Sequence, residues 1–116
     1  PLKNLEDKVL EKYKPATSWY DPEIINKELN GEEPVEYDLI LVDGPAYGGG
    51  RGGFYEYLHL FDTSKIIMFD DIERKDDKRI FDMVVEKLGR PTKILEGGGN
   101  TLTGVILTEE LKHLKD

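Results

Sequence analysis

Tyr37-Asp38-Leu39-Ile40-Leu41-Val42-Asp43-Gly44-Pro45 predicts a buried strand that ends on an acidic residue and a turn. The four consecutive aliphatic residues at 39–42 lack the polar alternation of a strand with one face in water, so we expect both faces to be covered, as in a parallel sheet between helices. A second stretch, Lys65-Ile66-Ile67-Met68-Phe69-Asp70-Asp71, repeats the design with four apolar residues before two acids. Both predicted strands therefore end in carboxylates.

The segment between these strands predicts a helix, because Phe54, Leu58 and Phe61 recur at one-face spacing. A glycine-rich run at 46–53 precedes it. Strand, helix and strand within about 30 residues form a βαβ unit, whose two strands are parallel and whose crossover is right-handed.

Caps and periodicity predict the elements on either side of this unit. We expect a helix from about Asn4 to Tyr13 with Asn4 as its N-cap, a loop through residues 14–20, and a short helix that opens at Asp21-Pro22 and stops at Asn30-Gly31. Downstream, Asp76 or Asp77 is predicted to cap a helix that Gly89 closes. Residues 92–96 and 101–108, around a glycine-rich turn at 97–100, predict a β-hairpin.

Composition limits the classes of function. A chain of 116 residues predicts a single domain over 1–116, which is small for a complete doubly wound enzyme fold. The net charge of −8 argues against nucleic acid or an anionic membrane as the main partner. Cysteine is absent, which excludes thiolate metal sites and a cysteine nucleophile. No apolar run approaches the roughly 20 residues of a membrane span, so we expect a soluble cytoplasmic protein.

Several of these features together resemble one protein family. Asp-Leu-Ile-Leu-Val-Asp-Gly-Pro at 38–45, the glycine-rich loop with Arg51, Ile-Ile-Met-Phe-Asp-Asp at 66–71 and the closing hairpin look like the C-terminal half of a class I S-adenosylmethionine-dependent methyltransferase. The resemblance extends from about residue 1 to residue 107. It implies an α/β fold, a three-layer αβα Rossmann-like sheet that is mostly parallel, with a C-terminal antiparallel hairpin and without the N-terminal strands.

The same resemblance implies S-adenosylmethionine as the cofactor. In the family, the glycine-rich turn for the methionine end and the acid that holds the ribose belong to strands upstream of those seen here, and the glycines at 48–53 follow the wrong strand to replace them. No cofactor-binding residue is therefore predicted. We expect this chain alone to be an inactive fragment, and an enzyme, a transferase, only together with the missing half.

The acids at the strand ends are the predicted metal site. Neighbouring parallel strands lie about 4.8 Å apart, so acids at their carboxyl ends can converge where open α/β sheets bind ligands. Asp43, Asp70 and Asp71 would then hold a hard cation such as Mg²⁺. Similarity to metal-dependent O-methyltransferases implies the same ligands, with Asp43 as the catalytic candidate and a cation that orients and acidifies a substrate hydroxyl. The alternative is structural: Asp43 forms a turn with Gly44, and Asp70 or Asp71 caps the following segment.

The glycine-rich loop supplies the predicted substrate-binding residues, Arg51 and Tyr47. Glycine amides and the following helix N-terminus can bind a carboxylate or phosphate, with Arg51 as a bidentate arm. The alternative is a loop over the crevice whose glycines serve flexibility.

In the family's strand order the Tyr37–Asp43 strand is central and pairs on one side with the cofactor-binding strand. The resemblance therefore implies a bare apolar edge on that side, which sheets seldom leave exposed. A second copy in a homodimer, the missing N-terminal half or the N-terminal helices would cover it. Three classes of function remain open: a methyltransferase-like domain for a small-molecule acceptor, a non-catalytic assembly or binding module, and a small metal-dependent hydrolase or phosphotransferase.

Overall fold

The computed structural model of the protein describes residues 2–4, 18–43 and 52–116. The strands in these ranges are β1 (Leu2–Asn4), β2 (Ser18–Tyr20), β3 (Leu39–Val42), β4 (Ile66–Phe69), β5 (Thr92–Glu96) and β6 (Leu102–Ile106). The α-helices are α1 (Pro22–Asn30), α2 (Gly52–Glu56) and α3 (Lys75–Leu88). Short 3₁₀ turns occupy Leu58–Leu60, Gly98–Asn100 and Glu109–Leu114.

Four of the strands form one mixed sheet in the order β3-β4-β6-β5. Strands β3 and β4 are parallel, and their register runs from Leu39 opposite Ile66 to Val42 opposite Phe69. Strand β6 is antiparallel to both of its neighbours, β4 and β5. The predicted βαβ unit and C-terminal hairpin are confirmed. The protein is a small α/β domain whose described sheet is mixed, because β6, the second strand of the hairpin, lies antiparallel between β4 and β5.

The N-terminal predictions were wrong where the structure describes them. Strands β1 and β2 pair antiparallel, with Asn4 opposite Ser18. Asn4 therefore lies in a strand rather than at a helix cap, and residues 18–20 form a strand rather than part of a loop. Pairing between two short segments supplies backbone hydrogen bonds that no local signal in either segment predicts. The rest of the predicted first helix, residues 5–13, lies outside the described residues.

Helix α1 begins as predicted. The Asp21 carboxylate accepts a hydrogen bond of 2.9 Å from the Glu23 amide, and Pro22 occupies the first turn. Helix α3 begins earlier than predicted, since its N-cap is Arg74, which makes no side-chain capping bond. Asp76 and Asp77 lie instead in the first turn, where carboxylates still interact favourably with the helix dipole.

The core lies on one face of the sheet, between the sheet and helices α2 and α3. Phe69 of β4 packs edge-on against Phe54 and Phe81, with ring centroids 5.7 and 5.4 Å away. Gly104 of β6 leaves the space into which the Phe81 ring and the end of the Ile72 side chain project. The other fully or nearly buried apolar residues of this core are Ile40, Val42, Leu58, Ile67, Ile80, Val84 and Ile106.

The opposite face of the sheet is open over β3. Leu39 and Leu41 are 46% and 59% exposed, and Leu95 of β5 is 41% exposed. The expectation that both faces of β3 are covered is therefore not met within residues 2–4, 18–43 and 52–116. None of the helices in these ranges has the length and apolar character needed to cross a membrane.

Arg90 ties the entry of β4 to the end of β6. Its Nε donates to the Leu107 carbonyl at 2.9 Å and its Nη2 to the Lys65 carbonyl at 2.6 Å, while Nη1 donates to the Thr63 carbonyl. Burial lowers the pKa of Arg90, although a guanidinium stays charged. Arg90 thus has a structural role, fixing the strand ends opposite the acids.

Candidate metal site

The parallel pairing of β3 and β4 brings their terminal acids together. Val42 lies opposite Phe69, so the next residues along the chain, Asp43 and Asp70, emerge at the same end of the sheet. The Asp70 amide donates to the Val42 carbonyl at 3.2 Å, which extends the pairing one residue beyond the strands. Carboxylate oxygens of Asp43, Asp70 and Asp71 all lie within 4.8 Å of one another. The predicted convergence of the three acids is present.

A sharp turn places Asp71 beside Asp70. The Asp71 backbone is left-handed, with φ at +58°, a conformation that Asp tolerates better than most residues. Oδ1 of Asp70 accepts a hydrogen bond of 2.9 Å from the Asp71 amide. Thr103 Oγ1 of β6 lies 3.4 Å from the same oxygen. Asp70 therefore orders the turn as well as presenting its carboxylate.

The structural alternative for these acids is seen at Asp70, whose hydrogen bond to the Asp71 amide belongs to the turn. The N-cap of the following helix, α3, is Arg74. The continuation of the Asp43 turn, Gly44-Pro45, lies outside the described residues. The predicted substrate-binding residues Arg51 and Tyr47 also lie outside them.

The loop after the acids is anchored to β6. Ile72 is 1% exposed, and its amide donates to the Leu102 carbonyl at 3.0 Å. Oε1 of Glu73 accepts a hydrogen bond of 2.7 Å from the Leu102 amide. The two contacts use the carbonyl and the amide of Leu102, so they hold the backbone that follows Asp71 against β6. The sequence gives no signal for them, because the partners lie about thirty residues apart.

Arg74 is a basic side chain that lies beside the acids. Its Nη1 lies 3.8 Å from Asp71 Oδ2 and 4.0 Å from Asp77 Oδ2. The Arg74 side chain is 55% exposed, so each pair is weak and solvent-screened. A cation bound by Asp71 would share that carboxylate with Arg74.

The geometry of the carboxylates fits a hard divalent cation. Oxygen ligands lie about 2.0–2.6 Å from Mg²⁺ or Ca²⁺, so two ligands of one ion are about 3–5 Å apart. A spread within 4.8 Å meets this range. Asp43 is exposed and Asp70 and Asp71 are half-buried, which leaves positions for water or substrate oxygens. All three donors are carboxylates, the ligand type that Mg²⁺, Ca²⁺ and Mn²⁺ prefer.

Two cavities lie at the other end of the sheet. One, of about 640 Å³, is lined by residues that include Val35, Tyr37 and Asp62, and the other, of about 620 Å³, by residues that include Arg90 and Glu109. Both are also lined by Asp38 and Lys65, which precede the two parallel strands. Open α/β sheets bind ligands outside the carboxyl ends of their strands, so the acids, not these cavities, form the candidate site.

Comparisons with protein-family models, with curated proteins and with solved structures gave no match for this chain. Its interpretation therefore rests on its own residues and on the arrangement of its sheet.

Proposed function

We propose that this chain is the metal-binding and acceptor-binding half of an S-adenosylmethionine-dependent methyltransferase-like domain. Asp43, Asp70 and Asp71 would bind a divalent cation such as Mg²⁺ and assist O-methyl transfer to a small molecule. The observation that carries the proposal is the meeting of three carboxylates at the carboxyl ends of two parallel strands. That is the edge at which open α/β sheets bind their ligands.

The order of the strands supports the methyltransferase-like part of the proposal. The terminal hairpin implied by the resemblance is present, and its last strand, β6, lies antiparallel between β4 and β5. In a three-layer Rossmann-like sheet, further parallel strands would pair with the outer side of β3, and their helices would cover Leu39 and Leu41. Both of these leucines are exposed among the described residues.

The three carboxylates have different roles in this proposal. A bound divalent cation supplies Lewis acidity, which lowers the pKa of a substrate hydroxyl that it contacts. Asp70 and Asp71, held by the turn and by β6, orient the ligand oxygens. Asp43 is exposed, and we assign it the catalytic role of accepting the hydroxyl proton at its carboxylate. No described residue is assigned to S-adenosylmethionine, so the chain alone is expected to be inactive.

A second candidate function is a non-catalytic assembly module. The observation that favours it is the open apolar side of β3, where Leu41 is 59% exposed. Sheets rarely leave such a strand uncovered, and a partner chain would cover it. Under this hypothesis the acids stabilise the turns after β3 and β4 and take no part in catalysis.

Methyl transfer by the full product of the gene tests the proposal. We expect transfer from radiolabelled S-adenosylmethionine to at least one member of a panel of phenolic and aliphatic hydroxy acceptors. The transfer should need Mg²⁺ and be lost in Asp70→Asn, because the substitution removes a charged ligand but keeps an oxygen that can accept the Asp71 amide.

Two outcomes would contradict the proposal. Hydrolysis of p-nitrophenyl phosphate that depends on Mg²⁺ and Asp70, without any methyl donor, would identify a metal-dependent hydrolase or phosphotransferase. If the full-length product binds neither S-adenosylmethionine nor a divalent cation, the assembly module remains as the candidate function.

A further inference from the structure

The two edge strands of the four-stranded sheet, β5 and β3, differ in the hydrogen bonds that the described residues make along their outer sides. Along β5, the chain closes its own edge: the Asp116 amide donates to the Thr92 carbonyl at 3.2 Å, and the Asp116 carboxylate accepts from the Ile94 amide at 2.6 Å. Lys93 adds an ion pair of 3.0 Å to the same carboxylate. Along β3, the structure pairs no described strand with the outer side.

The open edge is also apolar. An edge strand presents unpaired backbone groups, and proteins usually protect such strands with lysine, proline, a bulge or a covering segment. Strand β3 reads Leu-Ile-Leu-Val and contains none of the protective residues. Leu39 and Leu41, on the face away from the core, are about half exposed. The edge therefore offers both backbone hydrogen bonds and an apolar strip to an added strand.

We propose that the outer edge of β3 binds an extended segment of a partner protein, with apolar residues in the middle and lysine or arginine at both ends. Main-chain hydrogen bonds to β3 supply affinity, and cross-strand contacts with Leu39 and Leu41 supply the apolar part of the interface. This proposal rests on the second candidate function, the assembly module, because in a methyltransferase-like sheet further strands of the same protein would pair with this edge.

The negative charge at both ends of β3 is the reason for proposing lysine or arginine at the two ends of the partner segment. Exposed acids precede the strand, and the acidic group Asp43, Asp70 and Asp71 follows it. Basic residues near these ends include Lys65 and Arg90, which line a cavity together with Asp38, and Arg74, which pairs with Asp71. Acids still outnumber bases among the described residues there, with Glu36, Asp38, Asp43, Asp70 and Asp71 against Lys65, Arg74 and Arg90.

The same charges disfavour a second copy of this chain as the occupant. In the two-fold antiparallel register that centres on Ile40 and keeps the core faces on one side, Leu39 lies opposite Leu41 of the second copy. Asp38 of each copy then lies opposite Val42 and beside Asp43 of the other. Like charges close together across a strand pair are destabilising, and the symmetry repeats the contact twice. Each chain also carries a net charge of −8.

Fluorescence anisotropy with a designed peptide tests the proposal on the intact 116-residue chain. The probe has four alternating valine and isoleucine residues between two lysines at each end. One control peptide replaces the lysines with glutamates, and another carries N-methyl groups on alternate amides, which removes its strand-pairing donors. We expect saturable binding of the lysine peptide, with each control at least about tenfold weaker because it loses the charge match or the main-chain bonds.

Matched variants of the chain locate the site. Leu41→Lys should weaken binding of the lysine peptide at least about tenfold, since it puts a like charge into the contact with the peptide. Leu95→Lys changes an exposed leucine on β5 and should leave binding unchanged. Amide hydrogen exchange should slow within Leu39–Val42 when the lysine peptide binds.

Three results would overturn the proposal. Equal binding of all three peptides would mean unspecific apolar contact, and no binding would mean that the edge takes no added strand. Concentration-dependent dimers that protect Leu39–Val42 without peptide, and that Leu41→Lys abolishes, would assign the edge to a second copy. None of these results depends on added Mg²⁺, so each is distinguishable from a failure of the acid site.

Discussion

Gly104 gives the sharpest prediction about the core. It lies in β6 opposite Phe69 of β4, directly beneath the ring of Phe81. A Cβ at this position would lie 2.6 and 2.7 Å from two ring carbons of Phe81 and 2.9 Å from Cδ1 of Ile72. Favourable contact between carbon atoms begins at about 3.5 Å, so the alanine variant must displace the ring by roughly 0.9 Å.

The magnitude follows from two opposing effects of Gly104→Ala. Overpacking a buried site costs about 1–3 kcal/mol, and the loss of backbone freedom in the unfolded chain returns about 0.4–1 kcal/mol. All three contacts of the new Cβ are shorter than 3.0 Å, so the packing cost should lie in the upper part of its range. We therefore expect a net loss of about 1–2 kcal/mol in the free energy of unfolding. Urea unfolding followed by circular dichroism measures this loss. The slope of the free energy of unfolding against urea concentration should stay unchanged, which would show that the native state is as compact as before.

Two controls decide whether the ring is the cause. Gly98→Ala changes a glycine whose Cβ would meet nothing within 4 Å, and its effect should stay within about 0.5 kcal/mol. In a Phe81→Leu background, Gly104→Ala should cost clearly less than in the native protein, because residues in contact are coupled. Equal cost in both backgrounds, or native stability of Gly104→Ala, would refute the packing of Phe81 over β6.

Gly89→Ala should destabilise the protein by about 1 kcal/mol in thermal unfolding, because Gly89 ends α3 in the left-handed region at φ +62°, and Gly89→Asn should cost less. Arg90→Met should cost about 2–3 kcal/mol in the same assay, because it leaves the carbonyls that Arg90 bonds without their charged donor; a change below 0.5 kcal/mol would contradict this role. A hydrogen bond from the Ser64 side chain lowers the pKa of Asp62, and one from the Ile94 amide lowers that of Asp116. Their stabilisation is present above the unfolded-state pKa and is lost as pH falls through the lower folded-state pKa, so Asp62→Asn and Asp116→Asn should flatten the fall in stability below about pH 4.

The sequence predicts the centre of this sheet because the information there is local. Strand β4 combines an apolar run with a turn that follows it, and the glycine-rich turn between β5 and β6 marks a hairpin. The positions of Asp43 and Asp70 then follow from parallel pairing, since acids after neighbouring strands must emerge at one end. Even the left-handed turn at Asp71 agrees with the tolerance of aspartate for that conformation.

Other features depend on contacts that no local pattern encodes. Strands β1 and β2 exist only because each pairs with the other, and a cap signal at Asn4 is overridden by that pairing. Glu73 bonds the Leu102 amide, a partner that becomes adjacent only after the hairpin has folded back. The exposure of Leu41 was missed because an unbroken aliphatic run predicts cover on both faces, and the run alone does not say which element supplies it.

Binding of a divalent cation to the three carboxylates is the central claim, and calorimetric titration of the purified chain with Mn²⁺ and Mg²⁺ tests it most directly. We expect one cation per chain, paramagnetic broadening by Mn²⁺ at the amides of Asp43, Asp70 and Asp71, and loss of both signals in Asp70→Asn. Glu86→Gln, which removes an exposed carboxylate of α3, should bind as the native protein does. No saturable heat, or equal binding by Asp70→Asn and the native chain, would contradict the metal site and with it the proposed chemistry.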